Sequence, residues 1–238
     1  MKDKNMLVIG GTSGIGLEVV NQLHEAGANL WVASRNPSDE LQQKDITHIT
    51  LDVNSDQVQE ALSEIPEQLH GLVYAPGSIT LKPFKGLKPE DFQSDFDLNV
   101  KGAVKVIQQC LKPLKKSKNA SIVLYSTVAA QNGMNFHASI ATAKAAIEGL
   151  GRTLAAELAP QNIRTNVIAP SLTNTPLAEN LLSTEEKQKA SHQRHPLQRY
   201  GEKGDIAGLT KFLLSPDATW ITGQVIGVDG GISGIRNV

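Results

Sequence analysis

Cysteine is nearly absent from this chain: one thiol, Cys110, stands in 238 residues. A single thiol forms no internal disulfide, which suits a reducing compartment. An excess of charge of either sign is lacking as well. Lys and Arg number 23 against 24 Asp and Glu, a formal net charge of −1, so no global field draws the chain to nucleic acid or to an anionic membrane. Long apolar runs are also missing, and none approaches the roughly 20 residues that span a bilayer. Residues 1–5 lead at once into a strand-like run, so no signal peptide is expected. These absences exclude a disulfide scaffold and a helical membrane protein, and they set the expectation of a cytoplasmic chain with no nucleic-acid and no membrane partner.

What the sequence does contain is an alternating rhythm. Strand-like apolar runs fall at 6–9, 29–33, 48–51, 71–74, 121–125, 164–168 and 224–228, and helical patterns separate them at 14–26, 55–65, 95–116, 138–159 and 203–214. This alternation predicts an α/β fold, with a parallel sheet covered on both faces and wound right-handedly. No linker, repeat or low-complexity tract interrupts it, so residues 1–238 are expected to form a single domain. Two segments break the rhythm. A loop rich in Lys, Pro and Gly covers 77–90, and 170–200 begins irregularly and continues as a polar helix predicted at 179–190. Both follow strands, and the second has the length of a substrate lid.

The first strand runs into Gly10-Gly11-Thr12-Ser13-Gly14-Ile15-Gly16 and then a helix. Glycines let the main chain approach a pyrophosphate, and the free N–H groups of Thr12, Ser13, Gly14 and Ile15 at a helix start face its charge. With strand, turn and helix in order, the motif predicts a dinucleotide-binding, Rossmann-type doubly wound sheet. At the tip of the second strand stand Ser34 and Arg35. A carboxylate there would grip the ribose hydroxyls of NAD, whereas a guanidinium pairs with a 2′-phosphate, so NADP(H) is favoured over NAD(H). Asp52, followed by Val53, ends the third strand, where its side chain can meet the adenine amino group or cap the turn near Ser55.

With these residues in place the chain resembles the short-chain dehydrogenase/reductase family from end to end, and looks closest to its bacterial 3-oxoacyl-carrier-protein reductase-like members. The matching pieces are Gly10-xxx-Gly14-Ile15-Gly16, Leu51-Asp52-Val53, Leu98-Asn99-Val100, the run 121–126, Ala143-Lys144-Ala145, 166–170, and Ile221-Thr222-Gly223-Gln224 with Asp229-Gly230-Gly231. The resemblance implies that Asn99 holds a water near Lys144, that Lys144 binds the nicotinamide ribose, that Thr175 holds the carboxamide and that Ile168 lies against the ring. It also implies contacts to the cofactor at Ala75 and Gly77, a small-molecule substrate, and a homo-oligomer, dimer or tetramer.

The family's tyrosine, four residues before the lysine, falls on Ile140, and its serine on Thr127, with Ser126 beside it. Three readings stay open. His137, seven residues before Lys144, supplies the proton. Water supplies it, which suits a conjugated double bond. Or the chain binds NADP(H) without turnover, as a sensor or partner subunit. Tyr74 and Tyr125 are weaker donors. Lys82, Lys85, Lys88, His192, Arg194, His195 and Arg199 are candidates for an anionic substrate, against the plainer reading of a solvated surface.

Overall fold

The computed structural model describes residues 1–44 and 46–235. Seven short apolar runs form one parallel sheet: β1 (Asn5–Ile9), β2 (Asn29–Ser34), β3 (Thr47–Thr50), β4 (Gly71–Tyr74), β5 (Ala120–Tyr125), β6 (Ile163–Pro170) and β7 (Val225–Val228). Their order across the sheet is β3-β2-β1-β4-β5-β6-β7. Side chains alternate between two cores, as the period of two requires. Leu7 and Ile9 pack on one side with Val106, Cys110 and Ile147. Met6 and Val8 pack on the other with Val19, Leu23 and Leu213. The predicted doubly wound α/β architecture is therefore the observed one. β6 runs past its predicted end because its pairing with β7 continues through Ala169↔Gly227 and Pro170↔Val228.

The helices are α1 (Gly14–Glu25), α2 (Asp39–Gln42), α3 (Val58–Ala61), α4 (Pro89–Phe96), α5 (Gly102–Lys116), α6 (Ala138–Leu158), α7 (Glu185–Arg194) and α8 (Lys203–Leu214). Three expectations are corrected. The predicted helix 55–65 shrinks to α3, because Asp52 and Ser55 build a turn first: Asp52 Oδ1 accepts from the Asn54 N–H and Ser55 Oγ donates to the Asp52 carbonyl. The helix predicted at 95–116 begins earlier, at Pro89, a residue suited to a first turn. It is then interrupted by a π-helical turn, Asp97–Lys101.

In the segment 170–200, the helix predicted at 179–190 is instead a 3-10 turn, Pro176–Leu181, followed by α7. Thr184 starts α7 by accepting the Lys187 N–H, and Glu185 and Glu186 in the first turn complement the helix dipole. This segment is polar, so no apolar period marked its boundaries. Among the described residues no helix is long and apolar enough to cross a membrane.

Candidate active site

β1 lies between β2 and β4, so the chain winds away from it in both directions and leaves a crevice at its carboxyl end. The glycine turn sits there. Gly10 takes φ +75°, and a Cβ on it would stand 3.1 Å from the Pro76 nitrogen. Gly16 touches the Gly10 carbonyl so closely that any side chain would collide with it. Ser13 precedes α1 in extended conformation with no side-chain bond to the helix start, and Ile15 packs against the core beneath. Thr12 lies in the turn between β1 and α1. Ala75 donates its N–H to the Ile9 carbonyl at 2.9 Å, holding Ala75-Pro76-Gly77 beside the turn. From the opposite rim Thr175 comes within 3.6 Å of the position of a Cβ on Gly14.

At the tip of β2 the Arg35 side chain is exposed. Ser34 Oγ donates to the Asn36 carbonyl at 2.6 Å and lies 2.9 Å from His48 Nε2. With the hydroxyl proton spent on Asn36, His48 donates through Nε2, and burial lowers the affinity of that ring for a second proton. His48 was not singled out from the sequence, because only the register Val32↔His48 and Ser34↔Thr50 brings β3 beside Ser34. Asp52 uses Oδ1 on the Asn54 N–H, the turn-capping alternative, and Oδ2 is left for another donor. The Val53 side chain is buried against Gly102, so only its main chain could meet a nucleotide.

The other end of the crevice gathers Lys144, Asn99 and Gly77. Lys144 lies on α6, is buried, and donates from Nζ to the Tyr125 carbonyl at 2.9 Å. Loss of water pulls its pKa down to about 8, against the attraction of Asp95. Asn99 sits in the π-helical turn, a distortion often found at functional sites. Its Nδ2 donates to the Asp95 carbonyl at 2.8 Å and to Ser78 Oγ at 3.2 Å, while Oδ1 is buried without a partner. A Cβ on Gly77 would lie 3.7 Å from Lys144 Nζ and 3.8 Å from Asn99 Oδ1. An ammonium and an orphan amide oxygen thus face one space at this end of the crevice, as a site for a polar ligand or water requires.

The hydroxyls nearby have distinct duties. Ser126 Oγ donates to Glu148 at 2.8 Å, which commits it to the core. Thr127 Oγ1 accepts the Ala129 N–H at 3.3 Å, capping a short 3-10 turn, and its own proton remains to be donated. Tyr74 donates to the Leu98 carbonyl at 2.6 Å and so braces the π-helical turn. Tyr125 turns its phenol to Thr210 on the opposite side of the sheet, at 2.7 Å. Burial raises the pKa of both phenols, and neither is placed to donate in the crevice. Ile140, one turn before Lys144 on α6, is 5% exposed and brings only hydrocarbon. His137 is the residue before α6, and its Nδ1 lies 2.7 Å from the Asn135 carbonyl. In the neutral ring Nδ1 carries the proton and Nε2 is an acceptor.

His137 also lines a groove of about 440 Å³ with Phe84, Phe92, Met134, Phe136 and Ala141. Most of the charged residues suggested for an anionic substrate are otherwise engaged. Lys82 pairs with Asp91 at 2.6 Å, and Arg199 makes a double contact with Asp205. His195 is buried, with its nitrogens on Ser171 Oγ and the Ser191 carbonyl. It ties α7 to the end of β6, and its position there corrects the reading of it as a substrate contact. His192 packs on the ring of Tyr200.

Comparison with known proteins agrees with this fold. A family model described as Enoyl-(Acyl carrier protein) reductase matches residues 10–233. A tropinone reductase homolog from Arabidopsis thaliana is 36% identical over 98% of this chain and 94% of its own length. A short-chain type dehydrogenase/reductase from Mycobacterium ulcerans superposes with a TM-score of 0.92 at 31% identity, covering 100% of this chain and 92% of that one. ElxO with NADP bound superposes at 0.88 with 28% identity, covering 98% and 99%.

Proposed function

We propose that this chain, which belongs to the short-chain dehydrogenase/reductase family, is an NADP(H)-dependent oxidoreductase moving hydride between the nicotinamide and a carbonyl, an alcohol or an activated alkene. The observation that carries the reading is the convergence of Lys144 Nζ and the unpartnered Asn99 Oδ1 over Gly77, at the far end of a crevice that opens on the glycine turn. The residues present suit the cofactor. The main chain of 12–15 would meet the pyrophosphate, Ser34 and Arg35 the 2′-phosphate, Asp52 the adenine, and Lys144 and Thr175 the nicotinamide half. When bound, the cofactor supplies or accepts the hydride. Lys144 holds positive charge where negative charge develops on the reacting oxygen, and Thr127 has a hydroxyl proton to donate to it. Among the described residues no side chain takes the place of a phenol at residue 140, so an acceptor that needs little acid assistance, such as a conjugated double bond, fits best. The groove beside His137 suits an apolar substituent on that acceptor.

Calorimetry with NADPH and NADH, followed by turnover with conjugated enones, tests the reading. Binding of neither cofactor at millimolar concentration overturns it. Arg35→Ala is expected to weaken NADPH binding by about 10–100-fold, the worth of a charge-assisted pair at roughly 1.5–3 kcal/mol, and to leave NADH binding unchanged. Equal losses for both cofactors would place the guanidinium away from the 2′-phosphate. The buried hydrocarbon of Ile140 favours a second reading, a NADP(H)-binding sensor or partner subunit without turnover; cofactor binding with no reduction of any carbonyl or enone selects it. His137→Phe separates the proton sources. Turnover that survives within about twofold, with an unchanged pH profile, removes His137 as the donor, whereas a fall of about 10²-fold or more assigns the proton to His137.

A further inference from the structure

Asp95 was read from the sequence only as part of a helix, yet it is one of the most deeply buried carboxylates of the described chain, at 1% exposure. It lies one turn before Asn99. Three hydroxyls donate to it: Ser78 at 2.6 Å and Thr80 at 3.1 Å to Oδ1, and Ser139 at 2.6 Å to Oδ2. Both carboxylate oxygens are thus taken up as acceptors inside the protein. A buried charge of this kind calls for an opposite one.

We propose that Asp95 is the counter-charge that keeps Lys144 an ammonium, and that it acts as a positioning residue through the Ser78–Asn99 chain. The proposal deepens the oxidoreductase reading and rests on it for its purpose, though not for its test.

The neighbours of both groups leave this pairing. On α4 and the π-helical turn, Asp91 is bound to Lys82 and Asp97 to Lys101, both at the surface. On α6, Glu148 receives Ser126 and Gln131 and faces Arg152 at 3.9 Å. On β4 and β5 the Tyr74 and Tyr125 phenols are neutral and bonded elsewhere. On β6, Arg164 donates to the Ile221 and Ser215 carbonyls. Asp95 is the charged group that acts on Lys144, and it favours the protonated form. The connecting atoms are ordered by the same carboxylate. Asp95 Oδ1 fixes Ser78 Oγ, Ser78 Oγ accepts from Asn99 Nδ2, and the amide is thereby turned so that Oδ1 faces the space shared with Lys144 Nζ. Burial works against the ammonium and Asp95 works for it, so the balance sets the pH above which the positive charge is lost.

The test reads the charge of Lys144 without substrate or cofactor. In protein labelled with 13C-lysine, the Cε signal of Lys144, assigned with Lys144→Arg, is followed against pH in the wild type and in Asp95→Asn. The expected wild-type midpoint is near 8. Asp95→Asn is expected to lower the proton affinity of Lys144 about tenfold, moving the midpoint down accordingly. Should that variant not fold, Asp95→Ser, which keeps a hydroxyl for its partners, is read by the same criterion. A Lys144 midpoint that stays within twofold of the wild type in a folded variant overturns the proposal. NADPH calorimetry on the same samples is scored separately. Failure to bind cofactor with the Asp95 effect intact sinks only the functional reading.

Discussion

Ile140→Tyr is expected to raise reduction of simple ketones by about 10²–10⁴-fold, the usual worth of a placed general acid. Residues 140 and 144 lie four apart on α6, on one face of the helix. A phenol at 140 would therefore stand one turn from the Lys144 ammonium, whose charge favours ionisation of the hydroxyl. The isoleucine is buried, so the larger ring must reach into the crevice, and misfit is expected to cost about 1–3 kcal/mol of stability. The control is Ile140→Phe, which brings the ring without the hydroxyl. Consumption of NADPH in the presence of a ketone is measured for both. A tyrosine variant that binds NADPH and is no faster than the phenylalanine variant would show that residue 140 does not face the reacting atoms.

Gly16→Ala is expected to abolish cofactor binding, with a loss of affinity of at least about 100-fold, or roughly 3 kcal/mol, and to lower stability by about 2–4 kcal/mol. The added carbon has no space, since it would overlap the Gly10 carbonyl, and Gly10 is itself held under Pro76. Relief requires α1 to move away from the turn, which takes the main-chain donors of 12–15 out of line. Gly14→Ala is the contrast. There the nearest atoms lie 3.6 Å away and the cost is the φ of +55° alone, roughly 1 kcal/mol. Calorimetry with NADPH and thermal melting of both variants check the pair. Equal, mild losses would show that the turn is pliable and that close approach is not its function.

Much of the fold was legible because its signals are local. Strand runs such as 71–74 match β4, and the glycine turn marks the start of α1 to the residue. Lys144 and Ile140 could be placed on one helical face from their spacing. Elsewhere local pattern misled. Polar residues 179–190 suggested a helix whose true start is set by the Thr184 cap. The helix from 95 hid a π-helical turn made possible by the Tyr74 hydroxyl reaching Leu98 across 24 residues. His195 resembled a surface cation and proved to be a buried tie between α7 and β6.

From the sequence alone came what periodicity, glycine conformation and short spacing determine: a parallel sheet covered on both faces, a glycine-rich turn after its first strand, and a lysine one turn from an isoleucine. Tertiary structure alone decided which polar groups lose water together. Ser78, Asp95, Asn99, Ser139 and Lys144 meet because β4, α4 and α6 pack at one end of the sheet. The cost of burying a charge depends on the partners that surround it, and those partners are contributed by segments far apart in the chain. No local pattern encodes that balance, so the electrostatics of the crevice became readable only once the chain was folded.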